Sequence, residues 1–183
     1  MSGTTAGTPS VRLALPAEAG AIAALQRRVW QADPDLHGLL ESMSVEEMTQ
    51  TWWRAIATPP LAELRVLVAL DPGEEGPRVR AFATIGPSED QDAEPTDALV
   101  AEFVVDLDHR GRGHGSRLLN AVVDTLRADR FTRATWWLRT TDDTLRSFLS
   151  AAGWQADGAH RQTGTEDGTV QIREVRLHTW IGE

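Results

Sequence analysis

Leu99-Val-Ala-Glu-Phe-Val-Val-Asp-Leu-Asp-His-Arg-Gly-Arg-Gly-His-Gly-Ser-Arg-Leu-Leu-Asn120 is the stretch from which the fold can be read. Its first part, Ala98 to Val105, is apolar at nearly every position and rich in valine, which predicts a strand covered on both faces. Three glycines then fall between Arg110 and Ser116. From Gly115 the pattern turns helical, with Leu118, Leu119, Val122, Val123 and Leu126 on one face and Arg117, Asn120, Asp124 and Arg127 on the other. Strand, glycine turn, helix is how a chain builds an anion pocket. Glycines let the backbone bend, and the unpaired N–H groups at the helix start point at whatever sits there. A phosphate is the expected anion.

The chain narrows which phosphate ligand this is. A Walker-type loop needs a lysine after its last glycine, and all 18 basic residues here are arginine. A dinucleotide fingerprint needs a third glycine where Ser116 stands, and only about 70 residues follow the turn. What does fit is Arg110-x-x-Gly113-x-Gly115, five residues after Val105. This resembles the acetyl-coenzyme A pyrophosphate loop of the GCN5-related N-acetyltransferase family, Arg/Gln-x-x-Gly-x-Gly/Ala at the end of a central strand.

Composition sets outer limits. At 183 residues, the chain is long enough for one domain with a full core. It has no run of 18 apolar residues and no signal-peptide pattern, so a soluble, cytoplasmic protein away from membranes is expected. Without cysteine there is no disulfide or thiolate chemistry. A net charge of −9 argues against a nucleic-acid partner and favours a cationic acceptor. The chain also lacks tyrosine and has one asparagine, Asn120, a bias of the kind GC-rich coding produces.

Residues 1–10 lack periodicity and read as a disordered tail, with one domain over 11–183. Val11 to Leu15 reads as a strand, Pro16 opens a helix running to about Trp30, and Gln31 to Met43 reads as a loop. Ser44 with Glu47 forms a capping box for a second helix, with the stripe Val45, Met48, Trp52, Ala55 and Ile56, ended by Pro59 and Pro60. Leu64–Leu70 and Val79–Ile85 read as a hairpin, and Gly86–Asp97 as a solvated acidic loop. After the central strand and its helix come a strand over Ala134–Leu138 and a helix over Asp142–Ala152, with Gly153 at its C′ position. Strands over Trp154–Arg161 and Val170–His178 complete the chain. The order β-α-α-β-β-β-α-β-α-β-β resembles the same family from Val11 onward. It implies an α/β (α+β) fold: a mixed sheet of about seven strands and four helices, with the central strand splayed from its successor.

The resemblance implies roles for particular residues. Arg110, Gly111, Arg112, Gly113, His114, Gly115 and Ser116 would form the phosphate loop, and backbone groups of Phe103, Val104 and Val105 would pair with the pantetheine arm. For Arg110 a solvated helix-start residue is the other reading, and for His114 solvent exposure is as open as cofactor contact. Asp142 stands where the family usually has a pantetheine-binding asparagine, or is simply an N-cap. Glu102, the only charged residue from Ala98 to Val105, matches an acid that relays the acceptor's proton, or is one half of an ion pair across the sheet. Leu149 replaces the tyrosine that protonates the leaving thiolate, and tyrosine placed there is expected to raise the rate modestly. Trp30 with Trp52 or Trp53, and the stretches Trp30–Met43 and Gly158–Thr169, fall where the acceptor cleft forms. The five histidines show no metal-ligand spacing.

Together these imply an acetyl-CoA-dependent N-acetyltransferase acting directly on an amine, a small or peptidic cation. The acidic residues Asp33, Asp35, Glu41, Glu46 and Glu47 would attract it. A non-catalytic acyl-CoA sensor of the same fold is the alternative, and a nucleotide-binding module a third. Homodimers are common in the family, and the sequence leaves that question open.

Overall fold

The computed structural model describes residues 8–73 and 76–182. Within them the elements follow in the expected order: β1 (Ser10–Leu13), α1 (Ala19–Gln31), α2 (Val45–Ala57), β2 (Arg65–Asp71), β3 (Arg78–Pro87), β4 (Asp97–Val105), α3 (His114–Ala128), β5 (Arg133–Arg139), α4 (Asp143–Ala151), β6 (Gln155–Gly164) and β7 (Gln171–Trp180). Most of the expected tail and part of the β2–β3 turn lie outside the described residues. β1 begins at Ser10, one residue early, and stops at Leu13 rather than Leu15. A short 3-10 turn, Pro16–Glu18, precedes α1, and the Glu18 carboxylate accepts the Leu15 N–H at 2.7 Å. A second such turn, His37–Ser42, interrupts the loop after α1.

The seven strands form one sheet in the order β1-β2-β3-β4-β5-β7-β6, and β4–β5 is its parallel pair. Each face carries its own core. Leu118, Leu119, Val122 and Leu126 of α3 and Leu149 of α4 pack on Ala98, Val100, Ala134 and Trp136. On the opposite face Ile22 and Leu25 of α1 and Met48 and Trp52 of α2 pack on Val66, Val68, Phe82 and Val104. The helical spacing of these apolar positions makes one stripe per helix, and each stripe is removed from water against the sheet.

Two features of the α2 region follow directly from the sequence. Ser44 Oγ accepts the Glu47 N–H at 3.1 Å while the Glu47 carboxylate accepts the Ser44 N–H at 2.9 Å, so both ends of the capping box are closed. Trp52 is buried edge-on against Phe82, and its Nε1–H donates to Gln26 Oε1 at 2.9 Å. Val45, expected in the apolar stripe, is exposed at the first position of the helix.

The expectation of a solvated acidic loop from Gly86 to Asp97 holds for its exposed middle and is corrected at its ends, which belong to β3 and β4, and at its contacts with β7. Asp97 opens β4 and is buried, accepting from Arg133 Nη1 at 3.1 Å. Asp90 and Asp92 fold back onto Arg176 of β7, at 3.0 and 2.6 Å. Asp157 joins Arg176 to Arg133, at 2.7 and 2.9 Å. A guanidinium that is 5% exposed needs carboxylate partners, and the loop supplies two of them. Among the described residues no helix is long and apolar enough to cross a membrane.

Candidate functional site

β4 and β5 pair only from Asp97↔Arg133 to Val100↔Trp136 and then part. Beyond Val100, β4 keeps β3 as its neighbour, and its other backbone edge is left without a strand. The expected burial on both faces therefore fails in the second half of the strand: Ala101 is exposed, and Glu102, Phe103 and Val105 are half-buried.

A β-bulge at Ala101 aims the side chains that follow. Ile85 pairs with Val100 but Thr84 with Glu102, so Ala101 has no partner on β3, and the Glu102 N–H donates to Thr84 Oγ1 at 3.0 Å. Ala98 and Val100 face α3; after the extra residue, Phe103 and Val105 take that face and Val104 the other. Glu102 is thereby turned, with Val104, to the α1–α2 side.

There it lines a cavity of about 620 Å³. The walls come from β4, from Trp137 and Arg139 of β5, from Ile172 and Glu174 of β7, from Trp30 at the end of α1, and from Asp33 and Asp35 in the segment that follows it. Neither Trp52 nor Trp53 reaches it; Trp52 is core and Trp53 faces solvent. The second wall expected from Gly158–Thr169 is formed by β7 instead, because β7 and not β6 adjoins β5. Of the acidic residues expected there, Asp33 and Asp35 are present, whereas Glu41, Glu46 and Glu47 do not line it. Arg139 Nη2 lies 2.7 Å from Asp33 Oδ2, its Nη1 3.2 Å from Asp35 Oδ2, and Thr141 Oγ1 donates to Asp35 at 2.6 Å. These bonds tie the segment after α1 to the end of β5. Burial works against the Asp33 charge, but the Arg139 bonds win and its pKa lies below the usual carboxylate range.

Glu102 has no such partner. Among the described residues nothing forms a hydrogen bond or ion pair with its carboxyl group, so the expected alternative of an ion pair across the sheet does not hold. Burial, and then the negative charge of Glu174, push its pKa up to about 7 against the pull of Arg139. A carboxyl poised there can accept a proton at neutral pH.

The cavity continues past Phe103, Val105, Arg110, Asp142 and Leu145 into a second recess of about 410 Å³, lined by Gly111, Gly113, Gly115 and Ser116. Gly111 and Gly113 have φ of +74° and +82°, where a side chain would strain the backbone. Gly113 is the N-cap of α3 and offers no side-chain cap. The N–H groups of His114, Gly115 and Ser116 are thus the open ones at the positive end of a 15-residue helix. Gly115 has ordinary helical φ, and a Cβ there would meet Val105 and Phe148 at 3.6 and 3.8 Å, ordinary contact distances, so neither the bend nor the protein packing demands glycine there.

Other loop residues are placed as follows. Arg110 is exposed, lines both recesses and has no ion-pair partner among the described residues; Arg112 is exposed and lines neither. The His114 side chain, expected against cofactor or solvent, is buried beneath the loop with Nδ1 3.2 Å from Arg117 Nη2. Burial and that guanidinium lower its pKa, and the side chain does not line the recess. Asp142 caps α4, its Oδ1 accepting the Leu145 N–H at 3.0 Å, while Oδ2 lies 3.6 Å from Arg139. Leu149 is fully buried in the core, and it is Leu145 and Phe148 of α4 that line the recess. Arg139 and Glu174 carried no local sequence signal, and strand register brings them to the site; Phe148 belongs to the apolar stripe of α4, and helix phase turns it to the recess.

The same architecture recurs widely. The N-acetyltransferase of Staphylococcus aureus Mu50 superposes with a TM-score of 0.74 at 15% identity, covering 96% of this chain and 99% of that one. The yncA acetyltransferase of Salmonella typhimurium, determined with acetyl-CoA, gives 0.72 at 17%, covering 97% and 96%. The ribosomal-protein-S18-alanine N-acetyltransferase of Escherichia coli gives 0.67 at 15%, covering 96% of each. No curated protein sequence matches the chain. The acetyltransferase (GNAT) family model matches residues 27–154, which hold the parted strands, the glycine loop and α4. With that match over most of its length, the chain belongs to the acetyltransferase (GNAT) family, whose cosubstrate is acetyl-CoA.

Proposed function

We propose that this protein binds acetyl-CoA along the trough from the α3 N-terminus to the gap between β4 and β5, and transfers the acetyl group directly to an amine. The observation that carries this reading is an unpartnered carboxyl, Glu102, standing where the strands part, in a cavity that continues to the open N-terminus of α3. Acetyl-CoA supplies the activated thioester. The His114, Gly115 and Ser116 N–H groups and Arg110 would hold pyrophosphate oxygens. The free edge of Phe103 to Val105 would pair with the amides of the pantetheine arm as a further strand would. Glu102 takes one proton from the ammonium and frees its lone pair; as nitrogen bonds to the acetyl carbon, the C–S bond breaks with its electron pair on sulfur, and the second proton that nitrogen releases ends on the thiolate.

The acceptor is a cationic amine. Five carboxylates line the larger cavity (Asp33, Asp35, Glu102, Asp142, Glu174) against two guanidinium groups, Arg110 and Arg139. Such a cavity concentrates ammonium ions, and one with a carboxyl near neutrality can relieve an amine of its proton. The sensor alternative draws on the lost tyrosine at Leu149 and on Asp142 in place of asparagine; the Leu149 side chain faces the core, away from the trough, and Asp142 lines the trough while capping α4.

Two variants test the reading. Gly115→Glu places bulk and negative charge in the recess, and calorimetry with CoA is expected to show no binding to the folded variant. In Glu102→Gln, thiol release over a panel of amines should fall by roughly 10²–10⁴-fold while CoA affinity holds. Normal turnover by Glu102→Gln would remove the base, and unchanged CoA binding by Gly115→Glu would remove the loop.

A further inference from the structure

Glu102, Arg139 and Glu174 stand on adjoining strands, β4, β5 and β7, and on one face of the sheet. Arg139 pairs with Glu174 in the β5–β7 register, and Arg161 pairs with Glu174 in the β6–β7 register. Arg161 Nε donates to Glu174 Oε2 at 2.6 Å and Thr163 Oγ1 reaches the same oxygen at 3.5 Å. Oε1 of Glu174 has no hydrogen-bond partner among the described residues, although the side chain is only 14% exposed. Stacking of the Arg161 guanidinium over Trp137, 4.3 Å from the ring centre, holds this pair beside the cavity.

Resting on Glu102 as the base, we propose that Glu174, steadied by Arg161, is a positioning residue that controls when Glu102 takes up and releases the acceptor's proton. The charge of Glu174 disfavours a second negative charge on Glu102, while Arg139 acts in the opposite sense. The remaining charged groups at the cavity are committed elsewhere. Asp33 and Asp35 are bonded to Arg139 and Asp142 caps α4; Arg176, two residues along β7 and outside the cavity lining, is held by Asp90, Asp92 and Asp157. Arg110 lies toward the glycine loop, and β3 contributes the uncharged Thr84. Glu174 is the cavity carboxylate that keeps one oxygen unbonded and acts on Glu102, and Arg161, bonded to the other oxygen, sets how much of its charge is felt.

The test is the titration of the Glu102 carboxyl, followed by NMR in full-length protein carrying 13C-labelled glutamate and assigned by loss of its signal in Glu102→Gln. In Glu174→Gln, which keeps an oxygen for Arg161, the midpoint should fall by about one pH unit. In Arg161→Gln, which leaves Glu174 uncompensated, it should rise. The acid limb of the rate profile with acetyl-CoA and an active amine should follow in both. A purely structural role in the β6–β7 hairpin would move both variants the same way or neither, and either result overturns the inference. Opposite NMR shifts with an unmoved rate profile would instead overturn Glu102 as the base, and with it any catalytic part for Glu174.

Discussion

Glu102, raised to about pH 7 by burial and by Glu174, keeps a proton that it would lose near its ordinary value of about 4.5 in the unfolded chain. Between those values the folded state binds the extra proton, so this residue's contribution favours folding below pH 4.5 and is lost as pH rises through 7. Glu102→Gln is therefore expected to be more stable than the wild type at pH 8, by on the order of 2 kcal/mol, and equal to it near pH 4. Urea unfolding at the two pH values measures this. A variant less stable at pH 8 would mean that the carboxylate has a stabilising partner. Leu149 makes a different case. It is fully buried among core side chains of α3 and the sheet, so Leu149→Tyr adds volume and an unpaired hydroxyl there. The expected result is a loss of about 1–3 kcal/mol and no gain in rate, which corrects the reading of that position as a vacant acid. Thermal melts and thiol-release rates of the variant decide it.

At the scale of the element, α3 and the turn before it divide their labour among three glycines. Gly111 and Gly113 hold positive φ, and a Cβ at Gly113 would also come within 3.0 Å of the Arg117 guanidinium. Gly113→Ala should destabilise the protein by about 1–2 kcal/mol and weaken CoA binding, because the left-handed turn is what exposes the helix N–H groups. At Gly115 the φ is helical and a Cβ meets only ordinary contacts, so Gly115→Ala should leave folding and CoA affinity nearly unchanged. Chemical denaturation and calorimetry on the pair check the division. Equal losses from both would mean that close approach at Gly115 builds the site as much as the bend at Gly113.

For the whole molecule, charge is the property that acts at a distance. A net charge of −9 and a cavity with five carboxylates to two guanidinium groups favour approach of a cation. With a cationic amine below saturation, kcat/KM should fall as ionic strength rises from about 0.01 to 0.15 M, over which the screening length shortens from about 30 to 8 Å. KM for acetyl-CoA, an anion bound through the α3 N-terminus, should not improve in parallel at low salt. Rates indifferent to salt, with an anionic substrate preferred, would count against the cationic acceptor.

The sequence by itself determined the element order, the α3 stripe, the capping box at Ser44 and the glycine turn, because each is written in neighbours a few residues apart. It also singled out Glu102 as the one charge in an apolar strand. Which face that carboxyl takes was beyond its reach. Simple alternation puts Glu102 with Val100, on the α3 side, and only the bulge at Ala101, visible in the pairing with β3, turns it to the other. The tertiary structure likewise brought Arg139 to Asp33 and Asp35, and Glu174 to the cavity, across separations that no local pattern records. It sent Leu149 inward and Phe148 to the trough, since helix phase against the sheet decides which of two adjacent residues meets the ligand path. Local patterns set which elements form; packing between distant strands sets where their side chains point, and the chemistry of this site depends on the second.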